Sequence, residues 1–459
     1  MRSVVLASLA ALSASGAPEL RTLTPVEMQE DLFLLTDKVT SLHSGLARYF
    51  PAQVFEENSG ALLARAGEGP RDVRWFHREV SALIAGIGCG HSGVRLGERD
   101  RAAVLAQRGL LPIEVLLDGE RAWITRVLAP ESGLRPGQEL LAIDGLALSE
   151  IRARAFARIS PDGFIESGRQ RRLEATFPET YALLVDEASS GPYELRLAGV
   201  AEPVRVAGLA PEAYRAARGP ERVRPVVALE IRAADGVGVL TVSEFGDPAA
   251  NEPSFTAALE TAFRTLRERE VPHLVLDLRG NGGGVDMYGA LLVSYLAHAP
   301  FGYFERIEVT PAYSGAYRIE ERDGRRLMLS HEGLTVQQPA ELAFRGDVIV
   351  LIDGLTFSTA ADVATVAHAN HLATFLGDET GGGYEGNNSG DSQPVVLPSS
   401  GITVNVPLWC YTTAGVGSGH HGRGVEPDEA VHASIEDVLV GRDVVLERAF
   451  ERFRASAGR

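Results

Sequence analysis

Lysine is almost missing. Lys38 is the single lysine among 44 basic residues, and every other one is arginine. Arginine does not give up its proton, so it cannot serve as a general base. A mechanism that needs a neutral lysine therefore has only Lys38 to use. Cysteine is scarce too: Cys89 and Cys410 are the only two. They allow one disulfide at most, or two buried free thiols. Positive charge is in deficit, with a formal net charge of -17, which argues against a nucleic-acid partner, whose phosphates need a basic surface. No apolar run is long enough to span a bilayer, and no cofactor fingerprint stands out, so no cofactor and no membrane span are expected.

What is present suits a folded protein of two or three domains. The 459 residues are 45% hydrophobic and 23% charged, an ordinary balance. The start, Met-Arg-Ser followed by an apolar stretch from Val4 to Leu12 and small residues to Ala17, has the pattern of a secretory signal over residues 1–17, which implies an exported, periplasmic or extracellular protein. The alternative is a buried N-terminal helix.

Residues 22–50 read as a helix. Thr24 can cap it, Pro25 fits its first position and Glu27 completes a capping box. Leu32, Leu35, Val39, Leu42, Leu46 and Tyr49 form its apolar face. Residues 73–86 continue in helical style, giving a small helical unit over 18–92 that needs a partner to be stable. Residues 93–209 change character. Leu111 to Leu117 and Ala122 to Val127 look like strands around Asp118-Gly119-Glu120, followed by a Gly-Pro-Gly turn and a run closed by Asp144-Gly145. This stretch resembles a PDZ domain with a helical insertion. Leu110, Leu111 and Ile113 then fall where such domains bind a peptide tail as an added strand; the other reading is a small sheet that only positions its neighbour. Residues 210–226, rich in Ala, Arg and Pro, read as a linker. From 227 to 459 strands and helices alternate. Val237 to Val242, His273 to Leu278 and Asp347 to Ile352 are strand-like, and Ser254 to Arg269, Asp286 to Ala297 and Thr359 to Asn370 are helical, which implies an α/β domain with a largely buried sheet.

Two strand ends carry the chemistry. One is Leu276-Asp277-Leu278-Arg279-Gly280-Asn281-Gly282-Gly283-Gly284, leading into a helix; the other is Val350 to Asp362, with Ser358 at the junction. A Gly-rich turn exposes backbone N–H groups that suit a phosphate or a developing oxyanion. No Gly-Lys-Ser/Thr follows and the glycine spacing is not that of a dinucleotide site. A serine at a strand-to-helix junction is either a nucleophile or an ordinary helix cap.

Together with Gly377 to Gly383 and the closing Gly424-Val425-Glu426-Pro427-Asp428, these segments resemble the tail-specific, or C-terminal processing, protease family (peptidase family S41). The resemblance implies a multidomain α+β architecture: a helical N-terminal unit, a PDZ-like β domain and a ClpP/crotonase-like α/β catalytic domain. It implies a serine endopeptidase acting on protein or peptide substrates, with Ser358 as nucleophile and the N–H groups of Gly283 and Thr359 as oxyanion hole. The Ser–Lys branch of the family carries its lysine at the position of Gly383, so that dyad is absent. A second branch, which includes the tricorn proteases and a chlamydial secreted protease, has a histidine in a Gly-Asp-Gly-His-Thr-like segment. Gly88-Cys89-Gly90-His91-Ser92-Gly93 is similar to it and makes His91 the base; a turn histidine at a domain boundary is the plain alternative. The acid that supports such a histidine falls on His421 here, with Glu385 and Glu426 as nearby carboxylates. A third triad member is thus expected from His421 or Glu385. His420-His421 is a weak metal signal without further spaced ligands, and no metal is expected. Two other functions remain open: a non-catalytic peptide-binding protein, or an esterase or amide hydrolase on the same fold.

Overall fold

A capping box starts the first long helix. In the computed structural model, which describes residues 19–457 except 189, 221–223, 249–251 and 418, Thr24 Oγ1 accepts from the N–H of Glu27, and the Glu27 carboxylate accepts from the N–H of Thr24. The expected signal segment, residues 1–17, lies outside the described residues. The helix runs Pro25–Leu42, shorter than the expected 22–50. It stops because His43 turns inward, Nε2 3.1 Å from Ser92 Oγ, and because Gly45 lies against the Asn388 side chain, where a Cβ would sit 1.9 Å from Oδ1. A second helix, Ala52–Ala66, follows, and then Val73–Ala85, whose N-cap Asp72 accepts from Trp75 N–H at 2.8 Å.

Three larger sheets carry the rest. The first has the strand order Val227–Arg232, Val237–Val242, His273–Asp277, Asp347–Ile352, Thr374–Gly377, Glu429–Ala430. Its first pair is antiparallel and all the others are parallel. Helices Phe255–Glu268, Asp286–Ser294 and Thr359–Ala369 cover one side, in a core with Phe263, Leu276, Leu292, Val350 and Val363. Val444–Ala457 covers the other side through Ala449 and Phe453. The central strands are buried on both faces, which is why they read as continuous apolar runs. The second sheet is antiparallel: Ile319–Arg322, Arg325–Met328, Phe304–Val309, Thr403–Thr413, Asn388–Val396. The third is Ile113–Asp118, Arg121–Val127, Glu139–Ile143, Tyr193–Leu197, Val204–Val206, with a core of its own. Residues 211–218, inside the stretch read as linker, form the helix Pro211–Arg218.

The N-terminal helices do not stand alone. Met28, Leu32, Phe76 and Val80 share one apolar cluster with Val395, Ile402, Val404 and Val406 of the second sheet. Asp31, fully buried, accepts the backbone N–H groups of Ser399 (2.9 Å) and Ser400 (2.8 Å) at that junction. Asp31→Ala leaves two buried donors unpaired, and a loss of about 2–4 kcal/mol is expected in urea unfolding. A midpoint unchanged from wild type would show that this junction does not hold the fold.

The second contact between the halves is two residues long. Val94–Arg95 pairs antiparallel with Val404 and Thr403. Asn405 reinforces it: its N–H donates to Gly93 O at 2.9 Å and its Nδ2 to His91 O at 3.2 Å. This short strand fixes the position of the histidine that precedes it. No helix among the described residues is long and apolar enough to cross a membrane.

Candidate active site

The site is built on the carboxyl ends of two adjacent parallel strands, His273–Asp277 and Asp347–Ile352. Their loops are tied together. Asp353 Oδ1 accepts from the N–H groups of Gly280 (2.9 Å) and Leu355 (3.0 Å), and Thr356 Oγ1 donates to Leu278 O at 3.0 Å. Asn281, fully buried, braces both loops. Its carbonyl accepts from Phe357 N–H at 3.0 Å, and its Nδ2 donates to Val242 O at 2.9 Å.

Ser358 precedes the helix Thr359–Ala369 with φ +55° and ψ -130°, a strained conformation for a residue with a Cβ. Its side chain makes no capping bond. The plain helix-cap reading therefore fails: a capping serine would bond the amides of the first turn. Its Oγ instead lies 3.1 Å from Nε2 of His91, a residue 267 positions away. The imidazole is packed on Phe357, ring centroids 4.5 Å apart, and the Arg172 guanidinium also lies over that ring, 4.6 Å from its centroid. Gly90 is required beside it, because a Cβ there would come within 2.8 Å of the Phe357 ring. Burial pulls His91 down to about 3, with Arg172 and Arg48 acting in the same direction. The ring is neutral and can accept a proton.

The expected oxyanion amides fare differently. Thr359 N–H begins its helix, so no carbonyl four residues back claims it. Gly283 is packed on the nucleophile, since a Cβ on it would meet Ser358 Cβ at 2.6 Å. Its N–H, however, donates to Asn281 Oδ1 at 2.8 Å. Gly283 was expected as an oxyanion donor, and in this structure the asparagine side chain two residues earlier takes its amide.

The third-member expectation also needs correcting. His421 Nδ1 and Glu385 Oε2 lie 3.2 Å apart and bond each other. Neither touches His91, whose Nδ1 is buried with no hydrogen-bond partner among the described residues. Glu426 pairs with Arg423. Lys38 pairs with Asp37 and does not line the cleft. At Gly383 a side chain would be tight: a Cβ would lie 3.0 Å from Gly386 O and 3.1 Å from Tyr49 Oη. The Gly383 N–H donates to buried Asp162, whose carboxyl also accepts from Tyr49 Oη. Cys89 and Cys410 are both free thiols. The expected tail-binding residues are inside the third sheet's surroundings: Leu111 and Ile113 are buried in its core, and Leu110 N–H donates to Leu209 O at 2.7 Å. A peptide strand cannot be added through an amide already paired. No group of three His, Cys, Asp or Glu side chains arranged to hold a metal occurs among the described residues.

Asp362, one turn into the nucleophile helix, was quoted in the sequence motif without a role. Its two oxygens accept from Asn387 Nδ2, both at 3.2 Å. Burial raises its carboxyl to about 8, and nearby Asp286 adds to the rise; Asn387, Arg48 and Asp162 are its other charged or polar neighbours. With the folded value above the unfolded one, its contribution to stability is full below about pH 4 and is lost as pH climbs to about 8. Asp362→Asn cannot titrate, so its melting temperature should gain on wild type across that window. A constant difference from pH 4 to 8 would contradict the assigned shift.

Residues 236–431 match the sequence model of peptidase family S41. By fold, the chain is similar to the crystal structure of mature CPAF, with TM-score 0.66 and 15% identity over 93% of this chain and 96% of that one. Mature CPAF complexed with lactacystin gives TM-score 0.67 and 15% identity over 94% and 98%. At such identity the likeness is one of fold, and it spans nearly the whole length of both chains. No curated protein matches this sequence. The family match and the mixed α/β multidomain fold support a peptide-bond hydrolase.

Proposed function

We propose that the chain is an exported serine endopeptidase in which Ser358 attacks the peptide carbonyl and His91 takes its proton and returns it to the leaving amine. This is the histidine-base arrangement of the family and not the Ser–Lys one. The observation that carries it is the 3.1 Å approach of His91 Nε2 to a positive-φ serine with an uncapped hydroxyl. Bond formation moves the carbonyl electrons onto oxygen, and Thr359 N–H holds the resulting oxyanion. The Gly282–Gly284 turn, packed on the nucleophile at Gly283, lies where a second amide would be offered. The chain is arranged as a helical unit over 18–92, a PDZ-like unit over 93–209 and a catalytic unit over 227–459. In this reading the PDZ-like unit positions the histidine segment, since its tail-binding amide is already paired.

The test is labelling by a serine-reactive phosphonate, followed by incubation with an unfolded protein. Wild type should be labelled at Ser358 and should cleave; a phosphonate adduct on another residue rejects the assignment. The bare Nδ1 of His91 favours one second reading, a peptide-binding protein without turnover. Tight peptide binding with no phosphonate adduct would select it.

A further inference from the structure

Ser358 opens into a cavity of about 600 Å³ whose walls hold groups that bond-breaking does not use. One wall is acidic. Asp286 starts the helix Asp286–Ser294, Asp362 sits one turn beyond the nucleophile, and exposed Asp391 reaches in from the second sheet. Another part of the lining is aromatic. Trp409 meets Tyr313 at 5.6 Å and 86°, and Tyr317 at 5.7 Å and 83°, so the three rings form an angled cage. No lysine or arginine lines the cavity among the described residues.

None of these three acids has a lysine or arginine ion-pair partner among the described residues. Asp362 has no ion-pair partner among the described residues; its recorded side-chain bonds come from the Asn387 amide. Asp286 accepts from Tyr411 Oη at 3.2 Å and faces His331 Nε2 at 3.2 Å. The N–H of Gly333 donates to His331 Nδ1, which leaves Nε2 to face Asp286. Asp362 is held protonated by burial and by nearby Asp286, and a cation brought by a ligand would favour its ionised form. Aromatic faces favour the same occupant. A neutral side chain would fill the space without answering the acidic lining.

We propose that this cavity selects a cationic side chain, lysine or arginine, flanking the bond that Ser358 attacks. The proposal rests on the reading of Ser358 as nucleophile, and the test separates the two. The full protein is given hexapeptides of one alanine frame, with Lys, Arg, Leu, Phe or Glu in turn on each side of the scissile bond. At one of the two positions, kcat/KM for Lys and Arg should exceed that for Leu and Phe by roughly 10- to 100-fold, with Glu poorest. Asp286→Asn and Asp362→Asn are both made, in case one fails to fold, and each folded variant should lower the Lys-to-Leu ratio at least fivefold. Equal rates for Lys and Leu at both positions, or a ratio that neither variant moves, overturns the proposal. In parallel, Ser358→Ala is titrated calorimetrically with the same peptides. If wild type cleaves none of them while Ser358→Ala binds the Lys peptide about tenfold tighter than the Leu peptide, the hydrolase reading falls and the cavity assignment stands. Equal binding, or no binding of either, removes the cavity assignment.

Discussion

Ser358→Ala is expected to lower kcat/KM on an unfolded protein by about 10⁴-fold or more while leaving the melting temperature near that of wild type. The size follows from the role. Without the hydroxyl no acyl intermediate forms, and the remaining groups offer only binding and an oxyanion donor to a water attack. A factor of 10⁴ is about 5.5 kcal/mol of lost transition-state stabilisation. The small effect on folding follows from the geometry. The hydroxyl caps nothing and meets His91, and alanine keeps the Cβ that already packs against Gly283. The positive φ is as strained for alanine as for serine, so no strain is relieved or added. The comparison is made with active-site titration of wild type, so that a small active fraction is not taken for a slow enzyme. A variant that retains more than a hundredth of the wild-type rate would mean that another residue is the nucleophile.

The parts of this site that were legible in the sequence are the local ones. A buried strand, a glycine turn and a helix lie within a dozen residues of each other, so the Asp277–Gly284 and Asp353–Asp362 segments could be read from composition and order. The capping box at Thr24 is equally local, and it has formed. What failed depended on contacts across the chain. The helix expected to reach residue 50 ends at Leu42 because Asn388, more than 300 positions later, occupies the space beside Gly45. The amide of Gly283 was expected to hold the oxyanion, and the Asn281 side-chain carbonyl that takes it is visible in the sequence only as one more turn residue. His421 and Glu385 stand near each other in space and pair, which no spacing rule could anticipate. The Ser358–His91 approach itself depends on Val94–Arg95, a strand too short to have a period. The acidic and aromatic cavity draws on five separate segments, at Asp286, at Tyr313 and Tyr317, at Asp362, at Asp391 and at Trp409, so none of its residues carries a local signal.

His91→Ala should cost roughly 10³- to 10⁴-fold in kcat/KM, with the pH profile as its more telling readout. The base must be neutral to accept the serine proton. Burial, aided by Arg172 and Arg48, holds His91 at about 3, so it stays neutral down to weakly acidic pH. Wild type should therefore lose no activity through His91 between pH 8 and 5, where an ordinary histidine near 6.5 would already have lost about 30-fold. The same environment limits the peak rate: the imidazolium formed during attack gains no carboxylate partner, because Nδ1 is bare. Stability, unlike activity, responds to pH across this range. Between about pH 6.5 and 3 the unfolded chain binds a proton at this residue and the folded one does not, so His91 costs the fold about 1.4 kcal/mol per pH unit as pH falls through that window. His43 and His77, both lowered to about 4 mainly by burial, act in the same direction. His91→Ala removes one of these three terms and should melt progressively higher relative to wild type as the solution is acidified from pH 6.5 to 4. An acid limb in wild-type kcat/KM centred near 6.5, removed by His91→Ala, would instead show that the histidine meets water or a carboxylate in the working enzyme, and the low basicity assigned to it here would have to be abandoned.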